Sequence, residues 1–290
     1  MATIAGSIRV TPLSGVAGAE IGGVDLSQEL SPAVVEEIRR AWHQHIVLVF
    51  RGQDLTMEQQ KRFAGYFGDL GERKRKKTAL KKASEGLYQT DPHTLLVSNI
   101  KVDGKPIGAF GEGEMWFHID SGYAEKPYKY TFLYGLKLPS WGGNTRFANM
   151  YRVYDALPAD IKRTLTGRRA LHVHEYKRAE RVDTSADVSD APHWYHPVVI
   201  SHPDTGRKSL FVDRLMTFRI EGMPHDESEQ LLQLLFDHSE KPEFIYEHVW
   251  QLKDFIMWDN CATAHGRTYF PEHEERLLRR CTVEGVPLHE

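Results

Sequence analysis

Residues 115–123 read Met-Trp-Phe-His-Ile-Asp-Ser-Gly-Tyr, and the fold turns on whether they form a strand. In a strand, successive side chains point to opposite faces. His118 and Asp120 would then share one face, with Ile119 turned away. The flanking sequence favours that reading. From residue 95 onward, short apolar runs alternate with turn signals, which predicts strands over 95–100, 130–138, 169–173, 196–201, 209–212, 244–250, 255–258 and 277–283. Asp103 with Gly104, Gly142 with Gly143, and the group 203–206 supply turns between them.

Helices are front-loaded. Ser31 and Pro32 predict the cap and first turn of a helix over 32–44, with Val35, Ile38 and Trp42 on one stripe. An apolar run at 46–50 has strand length. Thr56 and Gln59 have the spacing of a capping box, for a second helix ending near 67–68. Later helices are expected near 158–166 and 226–237, the last capped by Asp226 and Glu229. The fold class expected is mainly β with flanking helices, a sandwich or barrel, as one domain over residues 1–290. No Gly-rich turn joins a strand to a helix in the manner of a dinucleotide site.

Composition narrows the function. The chain has 290 residues, 41% of them hydrophobic, enough for a substantial core. Its net charge of −3 gives no overall field for nucleic acid. Two cysteines, Cys261 and Cys281, make no disulfide framework and fit a reducing compartment. The opening residues lack a secretory pattern, and no apolar run is long enough to span a bilayer. A cytoplasmic protein with no nucleic-acid or membrane partner is expected. The one strongly basic stretch, 73–82, sets Arg73, Lys74, Arg75, Lys76, Lys77, Lys81 and Lys82 against Glu72. It is a solvated loop, a grip for an anion, or a contact for a polyanion; the lack of interleaved aromatics weighs against a nucleic-acid groove.

An imidazole and a carboxylate two residues apart are suited to Fe(II), and a second histidine would complete a facial triad with open positions. His172 and His174 also share a face but have no carboxylate there. His193, His196 and His202 lie in a Pro-broken polar region. His265 follows the apolar strand at 255–258 and a turn-like Asp259 and Asn260, which places it at a strand end. The plain alternative is a histidine at the core edge bonded to a nearby acid. Farther on, alternation puts Arg276 and Arg280 on one strand face, a costly placement unless each is paired. A carboxylate ligand would meet a guanidinium fork. Such a ligand is 2-oxoglutarate, whose distal carboxylate Thr145 could also reach. The alternative is surface ion pairing with Glu272, Glu274 or Glu284.

Several linked motifs then occur in one order: AEIGGVDLSQELS, VLVFRGQDLTMEQQKRFAGYFGDLG, FHIDSGY, LPSWGGNTRFANMYRVYDALP, HPVVISHPDTGRKSLFV, KPEFIYEHVW and FIMWDNCATAHGR, followed by the arginine strand. With these, nearly the whole chain resembles the taurine and 2,4-dichlorophenoxyacetate dioxygenases (TauD/TfdA), which use Fe(II), 2-oxoglutarate and O2. The resemblance implies a double-stranded β-helix, or jelly roll, with flanking helices. It implies iron ligation by His118, Asp120 and His265, and a grip on 2-oxoglutarate by Thr145 and Arg276. In the taurine-acting branch the residue matching Arg280 meets the anionic end of the substrate. Asp259 and Asn260 match a turn before the last ligand and are read as positioning residues.

Two departures point away from taurine itself. Gly71, Glu72 and Arg73 stand where the taurine branch carries a histidine after the FGDL-like segment, and Glu114 stands where it has an asparagine. Arg73 and Glu114 are therefore candidate substrate contacts, with an ion pair to a nearby base the alternative for Glu114. The Gly-rich stretch 101–114 is either a lid or an idle loop. The expected reaction is hydroxylation of a small anionic substrate: a sulfonate, sulfate ester, carboxylate or aryloxyalkanoate, with C–S or C–O cleavage as a possible outcome. Alternatives are hydroxylation or desaturation of an amino-acid-like substrate by a related oxygenase, a cupin-like metalloenzyme that needs no 2-oxoglutarate, and a metal-free jelly-roll binding protein. A homo-oligomer is usual for such folds.

Overall fold

The computed structural model describes residues 7–72, 91–111, 113–174 and 183–290. The strands and helices, in chain order, begin with β1 (Arg9–Pro12), β2 (Ala19–Gly22), α1 (Pro32–His45), β3 (Val47–Phe50) and α2 (Met57–Gly65). Next come β4 (Thr94–Ser98), β5 (Lys101–Val102), β6 (Lys105–Pro106), β7 (Met115–His118), β8 (Tyr130–Lys137) and β9 (Thr145–Asn149). Then follow α3 (Met150–Asp155), α4 (Ala159–Leu165), β10 (Arg169–Val173), β11 (His193–Pro197), β12 (Val199–Ser201), β13 (Lys208–Leu210) and β14 (Thr217–Ile220). The chain closes with α5 (His225–Ser239), β15 (Ile245–His248), β16 (Phe255–Asp259), β17 (Thr263–Arg267) and β18 (Leu277–Val283).

Two sheets position the site. The larger has seven strands in the order β1-β2-β3-β16-β8-β18-β4, and the smaller has four in the order β15-β9-β17-β7. Every pairing in them is antiparallel except β2 with β3. Period two explains how the large sheet buries both faces. Leu48, Phe50, Phe132, Tyr134, Phe255 and Met257 point to one side, where Ile38 and Trp42 of α1 and Phe63 of α2 cover them. Leu133, Ile256, Trp258 and Leu278 point to the other and meet Phe147 and Tyr246 of the small sheet. Among the described residues the strands pair into separate sheets, with no closed barrel. The architecture is thus mixed β and α with several sheets.

The local signals account for much of this. Ser31 accepts from the Val34 amide, and Thr56 with Gln59 forms a complete capping box. α2 stops at Gly65, earlier than expected. The expected cap of α5 is not formed: the helix starts after Pro224 with no side-chain cap, and Glu229 instead accepts from the Thr184 hydroxyl at 2.7 Å. The run 196–201 is two strands, because β11 pairs with β10 whereas β12 pairs with β13. The short strands β9 and β17, rich in Thr, Ala, Arg and Gly, lack an apolar run and are among the elements that pattern reading missed, as are β1, β2, β14 and α3. The basic stretch 73–82 lies outside the described residues.

Candidate functional site

His118 is the last residue of β7, and antiparallel pairing sets it directly opposite His265. The two imidazole centroids are 4.1 Å apart. His265 is therefore mid-strand in β17, not at the end of the apolar strand before it. Asp120 lies just past β7, in the turn closed by the Gly122 amide on the Ile119 carbonyl. One candidate ligand atom from each of His118, Asp120 and His265 falls within 4.8 Å of the others. All three sit between the two sheets, with Phe147 and Trp258 against His265.

The protonation states suit a divalent metal. Burial pushes both imidazoles below the ordinary histidine range, Asp120 opposing the shift at His118. For Asp120 burial acts upward, but Arg280, the two imidazoles and the Thr131 hydroxyl outweigh it and hold the carboxyl at about 2. The set thus offers two neutral imidazoles and a carboxylate, the forms that ligate. His118 directs Nδ1 at the Trp116 carbonyl, 3.0 Å away, which leaves Nε2 with its lone pair. His265 Nδ1 is buried and has no partner among the described residues. Two imidazole nitrogens and a carboxylate oxygen within 4.8 Å of one another make a donor set suited to Fe(II).

A second fit lies beside the first. Arg276, at the entrance to β18, is 2% exposed. It donates from Nη2 to the Gly143 carbonyl at 3.0 Å, while its Nε has no partner among the described residues. Burial, then Arg267, lowers its pKa well below the usual value. A sealed guanidinium without a carboxylate is costly, and an anionic ligand would relieve that cost. Thr145 Oγ1 accepts from Trp250 Nε1 at 3.1 Å, leaving its own hydroxyl proton to donate. Gly142 and Gly143 permit the close packing: both have positive φ, and a Cβ on Gly143 would come 3.0 Å from Arg276 Nε. These residues fit a dicarboxylate such as 2-oxoglutarate.

His118, Asp120, His265, Thr145, Arg276 and Arg280 all line one cavity. Arg280 donates from Nη1 to Asp120 Oδ1 at 2.8 Å. The strand alternation holds, because the intervening Arg279 faces the other way, onto Gln60 and the Leu55 carbonyl. The surface-pairing alternative does not describe these arginines: Glu274 holds Ser140, and Glu284 accepts from the Glu72 amide. Glu114 lies away from the cavity. It pairs with Arg146 at 2.9 Å and borders a separate cleft with Trp116, Phe117 and Arg214. Arg73 lies outside the described residues.

Pattern reading missed Val97, Phe110, Met115, Leu133 and Arg267 in the cavity wall. Arg267 was legible, two residues after His265 on the same strand face. It donates to the carbonyls of Phe110 at 2.5 Å and Gly113 at 2.8 Å, and so pins the Gly-rich stretch beside the cavity. Trp116, Phe117, Tyr123 and Phe147 are not among the residues lining it.

A second cluster, His202, Asp259 and Cys261, also meets the spacing for a metal. Its histidine and aspartate atoms are already engaged. His202 Nε2 lies 2.8 Å from Asp259 Oδ2, and His202 Nδ1 accepts from the amides of Asp204 and Thr205. Asp259 Oδ1 accepts from the Cys261 amide, and burial pushes the Cys261 thiol far up. This cluster ties the 259–263 turn to the 202–206 turn.

Comparison with known proteins agrees with the geometry. Residues 9–282 match the model of the "Taurine catabolism dioxygenase TauD, TfdA family". An alpha-ketoglutarate-dependent 2,4-dichlorophenoxyacetate dioxygenase from Burkholderia sp. (strain RASC) is 35% identical, with 91% of each chain covered. Pentalenolactone F synthase from Streptomyces arenae is 30% identical, with 94% of each covered. The crystal structure of a taurine dioxygenase from Burkholderia xenovorans superposes with a TM-score of 0.78 at 30% identity, over 97% of this chain and 90% of that one. Among the described residues no helix is long and apolar enough to cross a membrane.

Proposed function

We propose, from the premise that this chain belongs to the TauD, TfdA family, that it hydroxylates a small anionic organic substrate, an aryloxyalkanoate being the first to test. As a member of that family it is a 2-oxoglutarate-dependent non-haem iron dioxygenase, an oxidoreductase that uses Fe(II), 2-oxoglutarate and O2. The observation that carries the reading is the buried Arg276, with no carboxylate partner among the described residues, beside the His118, Asp120 and His265 triad in one cavity.

His118, Asp120 and His265 would hold the metal, and Thr145 and Arg276 the distal carboxylate of 2-oxoglutarate. With both bound, the metal supplies the oxidising power to insert one oxygen of O2 into a substrate C–H bond while 2-oxoglutarate leaves as succinate and CO2. The protein's own part is placement and exclusion of water. Arg276 and Thr145 fix the cosubstrate at one end of the cavity. Arg280, on the same face of β18 four residues after Arg276, would meet the anionic end of the substrate. Val97, Phe110, Met115 and Leu133 give the remaining wall an apolar surface. Hydroxylation at a carbon that bears an ether oxygen gives a hemiacetal, which falls apart to an alcohol or phenol and a carbonyl compound.

The named activity of the Burkholderia relative supports this substrate class, as does the cationic face of β18. The two facing sheets support a double-stranded β-helix in one domain over residues 1–290. The test is succinate release with Fe(II), 2-oxoglutarate and O2 across aryloxyalkanoates, sulfonates, sulfate esters and amino acids. Stimulation by one anionic class, with the matching phenol, aldehyde or alcohol formed in equal amount, is expected. Stimulation by amino acids only would replace the substrate reading and leave the family assignment in place.

A further inference from the structure

Asp120 is the member of the triad that no strand holds, and the structure supplies it with a separate support. We propose that Trp258, Asn260 and Thr131 form a buried positioning relay that orients the Asp120 carboxylate, so that it meets the metal through one oxygen. The inference rests on the reading of Asp120 as a metal ligand and adds three residues that do not touch the metal.

The direction of the relay follows from chemistry. An indole N–H can only donate, so its partner must be the amide oxygen of Asn260: Trp258 Nε1 lies 2.9 Å from Asn260 Oδ1. That contact settles which way the amide faces. Asn260 Nδ2 then donates to Thr131 Oγ1, also at 2.9 Å. A hydroxyl that has accepted keeps its one proton for another partner, and Thr131 donates it to Asp120 Oδ2 at 2.7 Å. Trp258 and Asn260 are 1% exposed and Thr131 is fully buried, so water cannot substitute for any link.

The placement gives the relay its purpose. Thr131 and Trp258 are register partners on β8 and β16, neighbours within the large sheet. Asp120 rides a turn after β7, an edge strand of the small sheet. The relay therefore couples a turn residue to the rigid sheet opposite it. The other carboxylate oxygen, Oδ1, faces Arg280, whose side chain is 16% exposed and borders the cavity. One oxygen is held from the sealed side by Thr131, and the other accepts from Arg280 at 2.8 Å on the cavity side, where ligands exchange.

The test is anaerobic titration with Fe(II) alone, read by competition with a chromophoric chelator, well below each variant's melting temperature. The parent is compared with His118→Ala, Thr131→Val, Thr131→Ser and Trp258→Phe. Loss of a group that orients a metal ligand weakens affinity by about 10- to 100-fold, and that is the expectation for Thr131→Val. Thr131→Ser keeps the donor and restores most of the affinity. Trp258→Phe removes only the far donor and weakens binding about five-fold. A melting temperature lowered in Thr131→Val with parental Fe(II) affinity marks a merely structural role and overturns the relay. Should Thr131→Val not fold, Trp258→Phe decides, and parental affinity there overturns it. Failure of the parent to bind, or unaltered binding by His118→Ala, would instead remove the ligand reading itself and the relay with it.

Discussion

The triad at His118, Asp120 and His265 and the cluster at His202, Asp259 and Cys261 look alike on distance, yet they are opposites in chemistry. Both are buried, and both join a histidine to an aspartate. In the second, the contacts of both His202 ring nitrogens and of both Asp259 oxygens lie within the protein. In the first, both Asp120 oxygens are met as well, but His265 Nδ1 has no partner among the described residues, and the nearby Arg276 has no carboxylate partner among them. Proximity of ligand types therefore does not define a metal site. Lone pairs that the fold leaves unsatisfied do, because a buried polar atom without a partner costs about 1–3 kcal/mol.

The largest effect should come from cutting each cluster in turn. His118→Ala is expected to abolish Fe(II) binding and the weak visible band formed anaerobically with 2-oxoglutarate. His202→Ala should leave one Fe(II) bound per chain and lower the unfolding free energy by about 3 kcal/mol, from a buried charged acceptor left without its donor. Metal titration and urea denaturation on the same two variants separate the roles. A loss of metal with His202→Ala would erase the distinction.

Next in size is Arg276→Leu, which tests the unpaired cation. It should raise the KM for 2-oxoglutarate about 100-fold and leave Fe(II) affinity near the parent's. An unchanged KM would mean that burial of Arg276 has no anion to explain it.

Another pair of histidines sharpens the comparison further. His172 Nε2 is buried and unpartnered among the described residues, like His265, but no carboxylate joins it in a metal-like group. Burial holds His172 well below the usual range and lowers His196 to about 4. The unfolded chain takes up protons near the ordinary histidine value of 6.5, before the folded one does. The contribution of these residues to stability is therefore fully present above pH 6.5 and is lost as the pH falls toward about 4. Melting temperatures over that window should fall, and His196→Gln should flatten the profile. A melting temperature independent of pH there would contradict the buried neutral state.

The smallest effect belongs to Glu114. Its pair with Arg146 is largely exposed and worth at most about 1 kcal/mol. Glu114→Gln should change substrate KM by less than about two-fold in steady-state assays. A larger change would bring the neighbouring cleft into substrate recognition.

Much of this was legible from residue order. Alternation around His118 and along the arginine strand needed no tertiary knowledge, because a strand's period of two follows from backbone geometry. Capping boxes and turn residues located α1 and α2 for equally local reasons. The strands β9 and β17 were not legible. Their Thr, Ala, Arg and Gly residues carry no apolar run, and they are strands because β15 and β7 pair with them across the sheet. The expected cap of α5 went wrong for a related reason: Glu229 found a distant partner in Thr184.

The sequence by itself determined the ligand types, the sheet periodicity and the family, since each depends on residue identity and spacing along the chain. Only the tertiary structure decided which histidines keep an open lone pair, that Glu114 turns toward Arg146, and that Thr131 supports Asp120. Those outcomes depend on which polar groups burial leaves without water. That is settled where distant segments meet, here at two sheets that each pair strands more than a hundred residues apart in sequence.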